Sequence, residues 1–183
     1  MSAEPDDAEL VARFLRDRSA PAFRALYARH AGGLFRFALR LSGGSADLAE
    51  ELAQEAWVRG VEGLPRFAFR SSLRTWLLGC ALNCWREHLR RAARTGPRPL
   101  AEPEAPDREP WLAVDLERAI AALAPGQREV LLLHDVEGYS HAEVARLLEI
   151  EESTSRSQLL RARRTLRRGL GTGGDEDHER RRA

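Results

Sequence analysis

Five of the nine prolines in this 183-residue chain stand at Pro97, Pro99, Pro103, Pro106 and Pro110. No helix or strand runs through such a stretch, because each proline lacks a backbone N–H and its ring clashes with the preceding turn. The chain therefore reads as two modules, of about 90 and about 60 residues, on either side of an acidic, proline-rich linker. Modules that short bury little surface and need compact helical packing. The apolar pattern agrees. Leu10, Phe14, Phe23, Leu26, Tyr27, Leu34, Phe35, Ala38, Leu39 and Leu41 recur at intervals of three and four, and Gly43-Gly44 closes that hairpin. Leu48, Leu52, Ala56, Val58, Val61 and Leu64 form another face, stopped by Pro65. Residues 73–89 make a helix with Trp76, Leu77, Cys80, Ala81, Cys84 and Trp85 along one side. Beyond the linker, 116–123 and 128–133 read as short helices punctuated by Pro125-Gly126. No strand alternation occurs. The expected fold is all-α, with two small helical domains at 1–94 and 112–170, a flexible linker at 95–111, and a disordered glycine-rich, charged tail at 171–183.

Several classes are excluded. No apolar run approaches the roughly 20 residues of a spanning helix, and the acidic start lacks the basic and apolar regions of a signal peptide, so the expectation is a cytoplasmic protein with no membrane association. The two cysteines, Cys80 and Cys84, suit neither a disulfide staple nor a zinc site. With His88 they fall at four-residue steps on one helix face, but a fourth ligand is missing, so they read as packing residues and no metal or cofactor is expected. Trp76 and Trp85, on the same apolar stripe, also read as core.

Net charge is only +1, but the charge is segregated. Residues 45–64 hold five acids against Arg59 alone, and 65–98 hold eight arginines against Glu87 alone. The pattern repeats: 99–117 carry six acids and one arginine, and 156–168 carry six arginines and no acid. Two separate basic faces follow. All the basic residues are Arg, which a coding bias toward Ala, Gly and Arg explains most simply.

After Gly138, Ser140 and Glu143 form a capping box that opens a short helix through Leu148. A turn at Glu149-Ile150 leads to a second helix, from about Glu152 to Gly169, with Leu159, Ala162 and Leu166 facing inward and most arginines facing out. This is helix-turn-helix spacing. The second helix of such a unit enters the major groove, where guanidinium forks reach guanine edges and phosphates. The competing reading is a solvated arginine-rich face.

Two longer motifs resemble one family. The run from Leu123-Ala124-Pro125-Gly126-Gln127-Arg128-Glu129-Val130 through Gly138-Tyr139-Ser140, with Glu143, Val144, Ala145 and then 159–163, is similar to region 4 of extracytoplasmic-function (ECF) RNA polymerase sigma factors of the sigma-70 family. Ala49-Glu50-Glu51-Leu52-Ala53-Gln54-Glu55-Ala56-Trp57, then Phe67, Ser71-Ser72-Leu73-Arg74-Thr75-Trp76-Leu77 and Asn83, is similar to region 2. Both motifs occur in the family's order, across about residues 23–170. The resemblance implies a non-enzymatic initiation subunit that binds core RNA polymerase and directs promoter recognition and melting. By that resemblance Glu51, Gln54 and Glu55 dock on the beta-prime clamp helices, and region 4 meets the beta-subunit flap. Phe67, Phe69, Ser71, Ser72, Arg74, Asn83, Arg86 and Arg90 contact the minus-10 strand, and Ser153, Thr154, Arg156, Ser157, Leu160, Arg161 and Arg164 contact the minus-35 duplex. It also leaves room for an anti-sigma factor as a partner.

The chain departs from the family in places. Glu149 stands at the turn where glycine is usual, Thr154-Ser155 replaces Thr-Val, and Phe69-Arg70 replaces small and acidic residues. Ser155 places a hydroxyl on the inward stripe, where it must find a carbonyl or tilt the helix. Three other readings are a helix-turn-helix regulator acting without polymerase, a helical hydrolase or metal enzyme using His134, Asp135, His141 and Glu143, and a decayed sigma paralogue that binds core enzyme but reads promoters poorly. The first leaves the tryptophan-rich module idle, and the second lacks ligand spacing.

Overall fold

The computed structural model describes residues 5–95 and 111–180, with side chains through Arg94 and from Leu116 to Leu170. Eight α-helices follow in order: α1 (Asp7–Asp17), α2 (Ala20–Leu41), α3 (Ala46–Gly63), α4 (Leu73–Thr95), α5 (Trp111–Ala121), α6 (Pro125–Leu131), α7 (His141–Leu148) and α8 (Glu152–Arg180). No strand occurs among the described residues, so the fold is all-α. Apart from its two end residues, the expected linker lies outside the described residues. The backbone of α8 runs on to Arg180, through residues the sequence marks as disordered. Extending an existing helix fixes one residue for each bond gained, so only nucleation is costly.

Two compact units form, one holding α1, most of α2, α3 and α4, the other the end of α2 and α5 to α8. In the first, Asp6 caps α1 by accepting the Glu9 N–H at 2.8 Å. An aromatic cluster joins three helices: Phe14 lies 5.7 Å from Phe23, and Phe23 and Tyr27 lie 6.0 and 5.1 Å from Trp57. The inward face of α3 is Leu48, Ala49, Leu52, Ala53, Ala56, Trp57 and Gly60. Val58, expected on that face, is instead exposed, and Trp57 takes the inward place. On α2, Phe37 is buried while Tyr27 and Phe35 stay largely outside. Both differences have one cause: at 100° per residue a single-position error swings an apolar side chain across much of the helix.

Close approach of α3 and α4 fixes the start of α4. A Cβ on Gly63 would lie 2.5 Å from the Trp76 ring, and one on Gly60 would lie 2.7 Å from Leu77. Trp76 donates its indole N–H to the Gly60 carbonyl at 3.1 Å. It is half-buried, whereas Trp85 is fully in the core, so the two expected core tryptophans differ.

In the second unit α5, α6 and α7 all pack on α8. Arg128 is buried, and its guanidinium donates to the carbonyls of Ile120 at 3.2 Å, Leu123 at 3.1 Å and Ala121, closing the end of α5. Desolvation pulls its pKa below the usual arginine range, against the raising effect of Glu129. A π-turn, Leu132–Val136, follows α6. It ends at Gly138, whose φ of +80° lets the Tyr139 N–H reach back to the Leu133 carbonyl at 3.0 Å.

Gly63→Ala should destabilise the protein by about 1–2 kcal/mol, overpacking against Trp76 outweighing alanine's better helix propensity. Urea unfolding followed by tryptophan fluorescence measures it; a neutral or stabilising result would mean the ring shifts without strain.

Candidate nucleic-acid and polymerase interface

The loop between α3 and α4 begins with a single 3-10 turn, Leu64–Arg66, and carries the first set of predicted site residues. Three rings pack in tilted contact there: Trp76 to Phe67 at 5.3 Å and 31°, and Phe67 to Phe69 at 4.5 Å and 46°. Phe67 is half-buried and Phe69 is 42% exposed. Ser71 is exposed and donates to the Ser72 carbonyl at 3.4 Å. The Ser72 hydroxyl accepts the Thr75 N–H at 3.1 Å and pairs with the Thr75 hydroxyl at 2.8 Å, so it works as the cap of α4. The exposed Arg74 lays its guanidinium beside Gly33 of α2, where a Cβ would come within 2.7 Å. Asn83 and Arg90 are exposed and Arg86 half-buried, and their spacing of three and four places them on one side of α4.

On α3, Glu51 and Gln54 are exposed. Glu55 is half-buried and pairs with Arg59 at 2.6 Å and Arg91 at 4.0 Å. It is therefore not the open carboxylate the charge pattern suggests. Arg59 also forks onto both oxygens of Glu87, at 2.8 and 2.6 Å. That bond holds the Glu87 carboxyl below its usual range and raises the Arg59 guanidinium. Val58, 57% exposed, extends the face of Glu51 and Gln54 by one turn. Sequence reasoning assigned it to the core and so missed an exposed apolar residue. Beside this network, burial pushes the Cys80 and Cys84 thiols up to about 11, leaving them inert near neutral pH.

In the second unit the expected helix-turn-helix is α7 and α8. The Ser140 capping box is complete: its hydroxyl accepts the Glu143 N–H at 3.3 Å and Glu143 accepts the Ser140 N–H at 2.8 Å. Donation from the Ser140 hydroxyl and N–H lowers the Glu143 pKa. Glu149 ends α7 with φ +52°, and the Ile150 N–H bonds the Ala145 carbonyl at 3.0 Å. A non-glycine residue in that region costs about 1 kcal/mol or more.

Ser155 is fully buried, and its hydroxyl pairs with Nδ1 of His141 at 2.9 Å. The partner is neither a carbonyl nor a gap opened by helix tilt; it is an imidazole on the neighbouring helix. His141 in turn stacks on His134 at 4.2 Å, and His134 Nδ1 bonds the Tyr139 carbonyl at 2.6 Å. Nothing in the sequence reading points to this link, because its members are brought together only by the packing of α7 on α8.

On α8, Ser155, Leu159 and Ala162 point inward. Ser153, Ser157, Leu160, Arg161 and Arg164 are exposed, and at 100° per residue they form the ridge opposite. Thr154 is half-buried and its carbonyl accepts the Ser157 hydroxyl at 3.0 Å. Arg156 lies on one flank, ion-paired with Glu152. Arg163, on the same flank, forks onto Asp135 at 3.0 and 2.7 Å. Among the described residues, no group of three or more His, Cys, Asp or Glu side chains could hold a metal ion. No described helix is long and apolar enough to cross a membrane.

The family profile described as Sigma-70 region 2 matches residues 26–95, and that described as Sigma-70, region 4 matches residues 113–166. The chain is 35% identical to the ECF RNA polymerase sigma factor SigM of Mycobacterium tuberculosis over 173 residues, covering 92% of this chain and 86% of the relative. This chain belongs to the ECF sigma factors. SigC of the same species is 38% identical over 73% of this chain and 75% of its own length, and CarQ of Myxococcus xanthus is 31% identical over 85% and 93%. In fold the chain is similar to RpoE of Bartonella quintana, solved with the anti-sigma factor NepR (TM-score 0.71, 23% identity, covering 81% and 96% of the two chains). It is also similar to CnrH, solved with the cytosolic domain of CnrY (TM-score 0.64, 27% identity, covering 91% and 97%).

Two expectations follow for this sigma factor. Glu149→Gly should raise stability by about 0.5–1 kcal/mol by relieving the left-handed backbone, and denaturant titration reads it. Desolvation first, then His134, Arg156 and Arg163, hold the His141 pKa below its ordinary 6.5, with Glu152 opposing. The unfolded chain then binds the proton more readily, so stability is fullest above about pH 6.5 and falls as pH drops toward the folded value. His141→Asn should flatten that acid limb of the melting temperature; an unchanged slope would assign it to other groups.

Proposed function

We propose that this ECF sigma factor binds core RNA polymerase through α3, opens promoters with the loop and helix from Phe67 to Arg90, and reads the minus-35 duplex with the ridge of α8. The observation that carries the reading is the pair of Sigma-70 regions in order on one chain, each with exposed side chains of suitable chemistry within the matched residues. Glu51 and Gln54 offer acceptors to a basic partner, and Val58 adds an apolar contact that charge alone lacks. Glu55 holds Arg59 in place beneath them. Phe67 stacks an unpaired base of the minus-10 non-template strand, with Phe69, Ser71, Ser72, Arg74, Asn83, Arg86 and Arg90 lining its path. On α8, Arg161 and Arg164 are the forks for guanine edges or phosphates, Ser153, Thr154 and Ser157 carry hydroxyls, and Leu160 suits a thymine methyl. Arg156 reaches DNA only by exchanging Glu152 for it. The protein does no chemistry of its own and works in the cytoplasm, where core polymerase is. An anti-sigma protein is a further partner on this reading.

Run-off transcription with purified core polymerase and sequencing of the transcript starts tests the whole reading; absence of start sites, with assembly intact, would refute it. Glu51→Lys should weaken core binding by about 1 kcal/mol or more without changing the melting temperature, whereas Glu55→Lys should lower both, because it breaks the Arg59 pair. Competition for core enzyme against a labelled sigma factor measures the first, and equal affinity would remove Glu51 from the interface. Phe67→Ala and Asn83→Ala should slow open-complex formation more on duplex than on pre-melted promoter; equal losses on both templates would point to folding defects.

A further inference from the structure

Beside the three-ring cluster is a shallow cleft of about 410 Å³, walled by Asp6 and Asp7 at the start of α1, Arg29 of α2, and Phe69, Ser72 and Leu73 at the entry to α4. Phe67 does not line it. Asp6 and Asp7 lie before the segment that matches region 2, so the family profile says nothing of this wall. We propose that the cleft is a second nucleobase site, in which Phe69 stacks an unpaired promoter base and the carboxylate of Asp6 accepts a hydrogen bond from that base's amino group. The inference rests on the promoter-opening reading above and adds a site to it.

Three observations carry it. Phe69 is the outermost ring of a tilted three-ring cluster whose inner ring, Trp76, is fixed by the Gly60 carbonyl, so the platform is ordered before any base arrives. Such pre-ordering makes base stacking on an aromatic ring favourable without regard to sequence. Second, Phe69 has φ +51°, a region that bulky residues avoid, yet its ring remains 42% exposed instead of being buried in return. Third, the lining charge suits a base and not a phosphate. Asp7 takes the Arg29 guanidinium at 2.6 Å and His30 at 2.8 Å, and Arg29 also donates to the Pro5 carbonyl at 3.0 Å. Arg29 is thus matched by Asp7, and Asp6 leaves the cleft with an excess of negative charge that repels phosphate. Asp6 spends one acceptor position on the Glu9 N–H at 2.8 Å, and a carboxylate has about four. The remaining acceptors suit the exocyclic amino groups of adenine, cytosine or guanine, and thymine has none.

The test uses holoenzyme on pre-melted promoters in which each minus-10 non-template base is replaced in turn by an abasic nucleotide, with complex lifetime as readout. The wild type should lose about 5- to 150-fold at two positions. Phe69→Ala should flatten one of them, Phe67→Ala the other, and Phe69→Trp should restore the first. At the Phe69 position thymine should be the weakest base, and Asp6→Asn, which still caps α1, should narrow that difference. A Phe69→Ala profile identical to wild type, or flattening at the same position as Phe67→Ala, overturns the second site and leaves the promoter reading standing. A wild-type profile with no sensitive position overturns both.

Discussion

Helix α4 can lie against α3 only because Gly60 and Gly63 put no Cβ in the path of Leu77 and Trp76. That contact has two consequences at opposite ends of the same pair of helices. At the loop end it seats Trp76, whose ring supports Phe67 and then Phe69, so the exposed aromatics stand on a core contact. Further along, it brings Glu87 of α4 within reach of Arg59 of α3, whose other partner is Glu55. Ion pairs that water still reaches, as these half-buried ones are, contribute only about 1 kcal/mol each, so this network is not what brings the helices together. It orients side chains whose spacing the glycine contact has already set, and leaves Glu51, Gln54 and Val58 exposed beside it on α3.

The second unit solves a different problem, that of polar groups in a small core. Arg128 is inward-facing and buried, and it donates to carbonyls at the end of α5, where the helix ladder runs out. Ser155 is as deeply buried and is satisfied by His141. Each is safe only while its partner stays, since an unpaired buried hydroxyl costs about 1–3 kcal/mol. The His141–Ser155 bond joins α7 to α8, so the angle of the helix-turn-helix depends on a polar contact where an aliphatic pair would have sufficed. Glu149, strained at the turn between them, makes the same joint less stable than a glycine would.

Much of this was legible in the sequence. Helix positions, the Ser140 capping box and the inward stripe of α8 follow from periodicity and local hydrogen bonding, which act over a few residues. The division of roles among charged residues was not, because it depends on partners far along the chain. Glu55 and Glu51 look alike in sequence, and only the distant Glu87 and Arg91 show that Glu55 belongs to a network. Val58 and Phe35 stand outside the core because a loose apolar pattern does not fix helix phase to one residue, and the burial of Trp57 and Phe37 in the folded chain does. The need for a hydrogen-bond partner for Ser155 is visible in the sequence, but the partner, an imidazole and not the expected carbonyl, lies 14 residues away.

The same distinction limits what the arginine run on α8 can do. Six arginines within 13 residues suggest a broad phosphate-binding face, but Arg156 and Arg163 are each held by a carboxylate on their own flank. Either one must trade an ion pair for a phosphate of similar worth, and the net gain in affinity is small. Their more useful effect is directional. With that flank neutralised, the field of the helix is centred on its ridge, where the exposed Arg161, Arg164, Arg167 and Arg168 follow Ser157 and Leu160. A free chain of net charge +1 then has little general pull on DNA, so on the proposed reading sequence discrimination falls to a few side chains whose positions on the helix are fixed by the inward packing of Leu159 and Ala162.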